Sequence, residues 1–120
     1  MDRTWYAGNA DDDAGENRSW LVGHFKPPGD IRHSKDVEVK WAHHPEGDAR
    51  NEWAPGIHEG TVVILVSGRW QLDLRLGDDV ETFVLDRPGD YVVWGPGVDH
   101  TWRALADSVM ITVRWPSLAG

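Results

Sequence analysis

The segment GDYVVWGPGVDH, residues 89–100, carries the strongest structural signal in this chain. Its apolar run from Tyr91 to Trp94 has the length and composition of a short strand. Gly95-Pro96-Gly97 follows, and these residue types predict a tight turn. His100 comes shortly after the turn and carries an imidazole, which can bind a metal or exchange a proton near neutral pH. The segment therefore predicts a strand, a turn and one wall of a chemical site.

The sequence on both sides of this segment also has a β pattern. Residues 61–66 form a continuous apolar run, as expected for a strand that is covered on both faces. Residues 70–76 and 109–115 alternate between apolar and polar side chains, and no long helical period is present. Residues 37–43 alternate as well, and the apolar face that we expect to point into the core carries Val37, Val39, Trp41 and His43. Many short strands separated by turn residues indicate an antiparallel sandwich or barrel.

The segment 89–100 resembles the second sequence motif of the cupin superfamily, which ends in a histidine. Gly89, Gly97 and His100 are in register with that motif, while its proline stands one place later, at Pro96. The resemblance implies an all-β fold, namely an antiparallel double-stranded β-helix, or cupin jelly-roll barrel. It also implies that His100 binds a metal inside the barrel.

The resemblance covers most of the chain and suggests its division. We expect residues 1–34 to form a largely irregular N-terminal arm and residues 35–120 to form the cupin-like barrel domain. One short apolar piece of the arm, Trp20–Phe25, could add a strand to a sheet. Cupins commonly pair through a sheet face, so we predict a homodimer with the 61–66 run as the contact.

The first cupin motif, which should supply the other metal ligands, is degraded in this chain. Counting forward from Gly47 places Trp53 and Pro55 where two histidines belong, and neither can bind a metal. The same count places Glu59 at the glutamate position, whereas counting backward from Gly68 places Thr61 there. By motif, only His100 is a secure ligand.

Other side chains could complete a metal site, and three interpretations stay open. His100 could bind a divalent metal such as iron, manganese, nickel or zinc together with His58 and Glu59, or together with His43 and either Glu52 or His58. Alternatively, His58 and Glu59 are solvated loop residues and His43 is a core histidine. Without a metal, His100 could act as a general acid or base, with Glu52 or Glu59 as its carboxylate partner.

Eight tryptophans in 120 residues suggest either a barrel filled with rings or a pocket lined by them. Under the pocket interpretation, the ligand-binding residues are His43 and four of the tryptophans, Trp41, Trp53, Trp94 and Trp102. Two arginines near the predicted site, Arg103 and Arg114, alternate with apolar residues, and we expect their side chains to face outward, into solvent or a subunit contact.

Composition narrows the class of function. A net charge of −8 argues against nucleic-acid binding, which needs a basic surface. The chain has no cysteine, no membrane-spanning run and no apolar leader, so we expect a cytoplasmic protein.

The leading hypothesis is a cupin that binds a small organic ligand in a tryptophan-lined pocket. The alternatives are a metal-dependent dioxygenase or isomerase with a non-standard His/Glu ligand set, and a purely structural dimer packed solid with tryptophan.

Overall fold

The structure is a computed structural model that describes residues 4–15 and 17–118. Within these residues the chain forms one short helix, one 3-10 turn and eight strands. In order they are α1 (Ala10–Asp13), the 3-10 turn (Asn17–Ser19), β1 (Trp20–Val22), β2 (Glu38–His44), β3 (Gly60–Ser67), β4 (Trp70–Leu76), β5 (Asp79–Leu85), β6 (Tyr91–Trp94), β7 (Asp99–Ala104) and β8 (Ser108–Trp115).

The strands form two antiparallel sheets that enclose one core. Five strands lie in the order β1-β2-β8-β3-β6, and three lie in the order β5-β4-β7. Both sheets contribute to the core, whose buried side chains include Leu65, Leu72, Leu85, Trp94 and Met110. The predicted all-β, antiparallel jelly roll is confirmed. In the described part of the chain, no ladder of paired strands closes the two sheets into a ring.

The face of β2 that points into the molecule is the polar one. Lys40 and His44 line the interior on this strand, whereas the side chain of His43 is 61% exposed. The expectation that Val39, Trp41 and His43 point inward is therefore wrong. The physical reason is that both faces of the five-stranded sheet are suited to burial, so apolar alternation alone does not identify the inner face.

The outer face of the five-stranded sheet carries two apolar rows. Neighbouring strands place Trp41, Ile111, Ile64 and Tyr91 side by side in one row. The second row contains Val39, Val113, Val62 and Val93. These rows explain why residues 61–66 are apolar throughout, because Val63 and Leu65 face the core while Val62 and Ile64 face outward.

The N-terminal segment packs against its own sheet. The predicted addition of Trp20–Phe25 to a sheet is confirmed for β1, which pairs with β2. Asn9 caps α1 by accepting a hydrogen bond from the Asp11 backbone N–H (2.9 Å). Asp11 in turn accepts from Trp41 Nε1 (2.7 Å) and contacts His43 Nε2 (2.6 Å) on the outer face of β2. The division of the chain at residue 34 stays a prediction.

In the described ranges, neither α1 nor the 3-10 turn has the length or the apolar character that crossing a membrane would require.

Candidate functional site

A pocket of about 350 Å³ lies between the two sheets. Its walls are the inward side chains of β2, β3 and β8 on one side and of β4 and β7 on the other, completed by the loop between β2 and β3. The pocket has an aromatic end and a basic end. The solid tryptophan core considered from the sequence is therefore wrong.

The aromatic end is built by two stacked indoles. Trp70 and Trp102 pack with ring centroids 4.6 Å apart at an angle of 21°. His44 packs on both of them, at 4.9 Å and 4.7 Å. The orientation of its ring is set by Asp48, because His44 Nδ1 lies 2.7 Å from Asp48 Oδ2. The stack forms a rigid, flat wall on which a ligand ring can lie.

The basic end is built from paired positions on neighbouring strands. Lys40 on β2 is opposite Thr112 on β8, and Arg114 on β8 is opposite Thr61 on β3. All four line the pocket, as does Arg50 from the loop. The expectation that Arg114 faces outward is wrong. Successive side chains of a strand point to opposite faces of the sheet. Val113 and Trp115 point outward, so Arg114, which lies between them on β8, points into the interior.

A buried polar network holds Arg114 in place. Its Nε lies 3.0 Å from Glu38 Oε1, and Ser117 Oγ donates to Glu38 Oε2 (3.0 Å). His24 Nδ1 lies 2.7 Å from the same Ser117 hydroxyl. The guanidinium also lies 4.6 Å from the Trp20 ring centroid. The ion pair with the buried Glu38 carboxylate and the packing on Trp20 limit the orientations of the Arg114 guanidinium, which stays at the pocket wall.

His100 is positioned by the turn that the sequence motif predicts. Gly97, with φ of 89°, donates its N–H to the Gly56 carbonyl (2.6 Å), which brings the loop against the start of β7. Ala54 and His100 then exchange backbone hydrogen bonds of 2.8 and 3.0 Å. The imidazole reaches the pocket and packs 5.1 Å from the Trp94 ring.

The imidazole of His100 is neutral at physiological pH. Burial, together with the positive charges of Arg50 and Arg114, lowers its pKa to about 4, against the opposing carboxylates of Glu59 and Asp99. Its Nδ1 is buried and makes no hydrogen bond with any described residue, and the same is true of Trp70 Nε1. Among the described pocket residues, Trp70, His100 and, through its Nε, Arg114 each have a buried nitrogen without a hydrogen-bond partner.

The pocket environment also affects the neighbouring lysine. Burial lowers the pKa of Lys40, and the charges of Arg114, Arg18 and Arg50 lower it further. Among the described residues, the pocket lining includes three cationic side chains and no carboxylate. The interior is therefore locally positive in a chain whose net charge is −8.

Three of the predicted site residues meet in the pocket: His100, Trp94 and Trp102. Trp41 and His43 lie on the outer face of β2, where both contact Asp11. Trp53 does not line the pocket, and its ring lies under the Arg75 guanidinium at 4.4 Å.

The remaining predicted residues also lie outside the pocket lining. Glu52 and His58 are exposed. The Glu59 carboxylate accepts a hydrogen bond from the His58 backbone N–H (3.0 Å), so it turns back on its own loop. The loop between β2 and β3 thus brings backbone, and not these side chains, to His100.

The side chains at the site do not fit a metal ion. No group of three or more His, Asp or Glu side chains that could hold one occurs in residues 4–15 and 17–118. A divalent cation needs several converging donors, and here His100 lies near the positive charges of Arg50 and Arg114 and shares its pocket with Lys40, so a cation would be repelled. His100, His58 and Glu59 do not form the site that the sequence suggested.

The pocket contains residues that the sequence interpretation missed, mainly Lys40, His44, Arg50, Trp70 and Arg114. One signal could have found some of them. On β2, apolar residues alternate with Lys40 and His44, and on β8 they alternate with Thr112 and Arg114. The two strands are paired, and each of these polar residues lies opposite a polar residue of the other strand. Arg50 carries no such signal, since it lies in an irregular loop.

Comparison with known proteins supports the fold. No protein-family model matches the sequence, and no curated protein matches it. Among solved structures, KdgF from Halomonas sp. is 23% identical with a TM-score of 0.61, over 72% of this chain and 75% of that one. The cupin domain of Cnp3 from Schizosaccharomyces pombe is 11% identical with a TM-score of 0.58, over 68% and 56% of the two chains.

Hydroxypropylphosphonic acid epoxidase from S. wedmorenis, HppE, is 13% identical with a TM-score of 0.56. The match covers 67% of this chain and 44% of HppE. The chain therefore spans about half the length of the solved Cnp3 cupin-domain chain and of the HppE chain. Together these similarities show that the chain has the cupin fold, as the segment 89–100 implied.

Proposed function

We propose that this protein binds a small organic molecule in the pocket between its sheets. The observation that carries the proposal is the pair of buried atoms without partners, His100 Nδ1 and Trp70 Nε1, on side chains that line an open pocket. Leaving a buried polar atom unpaired costs on the order of 1–3 kcal/mol, and a ligand that bonds to it recovers this energy. Such atoms are rare in folded proteins and are expected at functional sites.

The size and chemistry of the pocket support the same proposal. Its 350 Å³ falls in the range of about 300–1,000 Å³ that is typical of small-molecule sites. The stacked indoles of Trp70 and Trp102 suit a flat or ring-shaped ligand. The neutral imidazole of His100 can accept or donate a hydrogen bond to a ligand in the pocket.

A binding experiment with matched tryptophan variants tests this proposal. The probes are benzamide and benzoate, which offer a ring with and without a charge, and titration calorimetry gives the dissociation constants. Trp102→Leu removes a pocket wall, and Trp53→Leu removes a ring outside the pocket. We expect Trp102→Leu to weaken binding roughly five- to tenfold, and Trp53→Leu to change it less than twofold. Absence of saturable binding by either probe to the native chain would contradict the proposal.

The alternative is a metal-dependent cupin enzyme, and one neighbour favours it. HppE has been solved with Fe(II). In this chain the donors that surround His100 do not converge, so we place binding first. Metal analysis of the purified protein distinguishes the two, because stoichiometric iron, manganese, nickel or zinc that is lost in His100→Ala supports the enzyme.

We also propose that two copies pair through the outer face of the five-stranded sheet. The two apolar rows end at Tyr91 and Val93, whose side chains are 65% and 52% exposed. Exposed contiguous apolar surface of this kind favours association. A cytoplasmic location stays a prediction from the cysteine-free composition.

Light scattering at micromolar concentration tests the pairing. Val93→Lys places a charge in the outer apolar rows, and Val84→Lys places one on β5 of the other sheet, where the side chain is 44% exposed. The native chain and Val84→Lys are expected to have the mass of a dimer, and Val93→Lys that of a monomer. A native chain with the mass of a monomer would refute the pairing.

A further inference from the structure

We infer that the ligand of this pocket carries an oxyanionic group, such as a carboxylate or a phosphonate, bound at the basic end by Lys40, Arg50 and Arg114. The inference rests on the proposed function and adds the chemical class of the ligand. It begins from the composition of the lining, in which three cationic side chains meet in one interior pocket.

The three cations approach from two walls of the pocket. Lys40 and Arg114 extend from adjacent strands of the five-stranded sheet, β2 and β8. Arg50 comes from the loop beside β7, where its N–H donates to the Trp102 carbonyl (3.0 Å) and its carbonyl accepts from Thr101 Oγ1 (2.6 Å). An oxyanion between these walls can therefore receive hydrogen bonds from more than one direction, which favours its binding over that of a neutral group.

The positive charge is only partly compensated within the protein. Glu38 forms an ion pair with Arg114, whereas Lys40 forms no ion pair with any described residue and is partly buried. Burial penalises the ammonium form of Lys40, and the nearby arginines add repulsion that the Glu38 carboxylate offsets only in part, since the pKa is lowered. A bound anion would relieve both penalties, because it supplies the missing negative charge.

Two of the side chains at the basic end, Lys40 and Arg114, pack on partners within the protein. Trp20 lies under both cations of the sheet, with its ring centroid 4.6 Å from the Arg114 guanidinium and 5.5 Å from Lys40 Nζ. Glu38, Ser117 and His24 fix the far side of Arg114. Preorganised donors favour a ligand because they lose little conformational entropy on binding. The adjacent aromatic wall suits the uncharged body of an organic acid.

Paired probes that differ in charge test the inference. Benzoate and benzamide share the same ring, and phenylphosphonate replaces the carboxylate by a phosphoryl anion. We expect the native chain to bind benzoate at least tenfold more tightly than benzamide. Tighter binding of phenylphosphonate than of benzoate assigns the basic end to phosphoryl groups, and the reverse order assigns it to carboxylates. Either order supports an oxyanion site.

Charge variants locate the binding group. Lys40→Met keeps much of the side-chain length and Arg50→Gln keeps a polar group, and each should weaken benzoate binding roughly 10- to 100-fold while changing benzamide binding less than twofold. Arg103→Gln is the matched control, because it removes the same charge from an exposed position on β7 that does not line the pocket. Circular dichroism of each variant verifies that it is folded.

Two results would overturn the inference while leaving the proposed function intact. One is equal affinity of the native chain for benzamide and benzoate. The other is benzoate binding that Lys40→Met and Arg50→Gln weaken no more than Arg103→Gln does. Failure of both probes to bind would instead contradict the proposed function itself.

Discussion

His100 is held in the pocket by its backbone and acquires its chemistry from its surroundings. The hydrogen bonds with Ala54 fix its position, and burial beside Arg50 and Arg114 keeps the ring neutral. The sequence motif predicted this histidine but associated it with a metal. Its neighbours could not be predicted by motif, because Lys40 and Arg114 come from strands that are distant in sequence and adjacent in space.

The titration of His100 should make the stability of the folded chain depend on pH. Its pKa in the folded chain is about 4, compared with 6.5 for an unperturbed histidine. Between these values the unfolded chain binds a proton that the folded chain does not, so the free energy of unfolding decreases as the pH falls through this window. The upper limit of this loss is about 3 kcal/mol, and solvent screening reduces it. Nuclear magnetic resonance of the ring should show the titration near pH 4.

His100→Gln is the matching variant for this titration, because glutamine does not ionise in the window. Urea unfolding should show a smaller loss of stability between pH 6.5 and 5 for the variant than for the native chain. A His100 ring that titrates at pH 6 or above would show that the site is neither as buried nor as positive as described.

At the scale of elements, strands β2 and β8 show what the pattern of the sequence can and cannot decide. Alternation at residues 37–43 and 109–115 predicted both strands. It did not identify the inner face, since Val39, Trp41, Ile111 and Val113 form an apolar surface on the outside. The apolar face of a strand usually points into the core. On β2 the polar face points inward instead, because the wall of a pocket for a polar ligand needs side chains such as Lys40.

The contact between the β2–β3 loop and the start of β7 should depend on the glycine at position 56. A Cβ atom on Gly56 would lie 2.4 Å from the Val98 carbonyl oxygen, which is backbone and cannot move aside easily. Gly56→Ala should therefore destabilise the chain by about 1–3 kcal/mol and displace the loop from His100. Gly95→Ala is the control, since nothing lies within 4 Å of its Cβ position. Chemical denaturation measures both, and equal stability of the two variants would contradict the described contact.

At the scale of the whole molecule, an acidic protein contains a basic pocket within a cupin fold. The described carboxylates lie outside the lining in a chain whose net charge is −8, while Lys40, Arg50 and Arg114 line the pocket. The fold could be predicted because the turn and strand signals are local. The pocket could not be predicted as fully, because its charge depends on which strand faces meet across the core. Binding of a small organic molecule is the central claim that this arrangement supports.

The eight tryptophans allow a direct measurement of that claim, since each indole N–H gives its own nuclear magnetic resonance signal. On titration with benzoate, the signals of the pocket residues Trp70, Trp94 and Trp102 should shift together and saturate with one dissociation constant. The signals of Trp5, Trp41 and Trp53, outside the pocket, should stay in place. Shifts confined to this second group, or no saturable shift at all, would contradict a ligand pocket between the sheets.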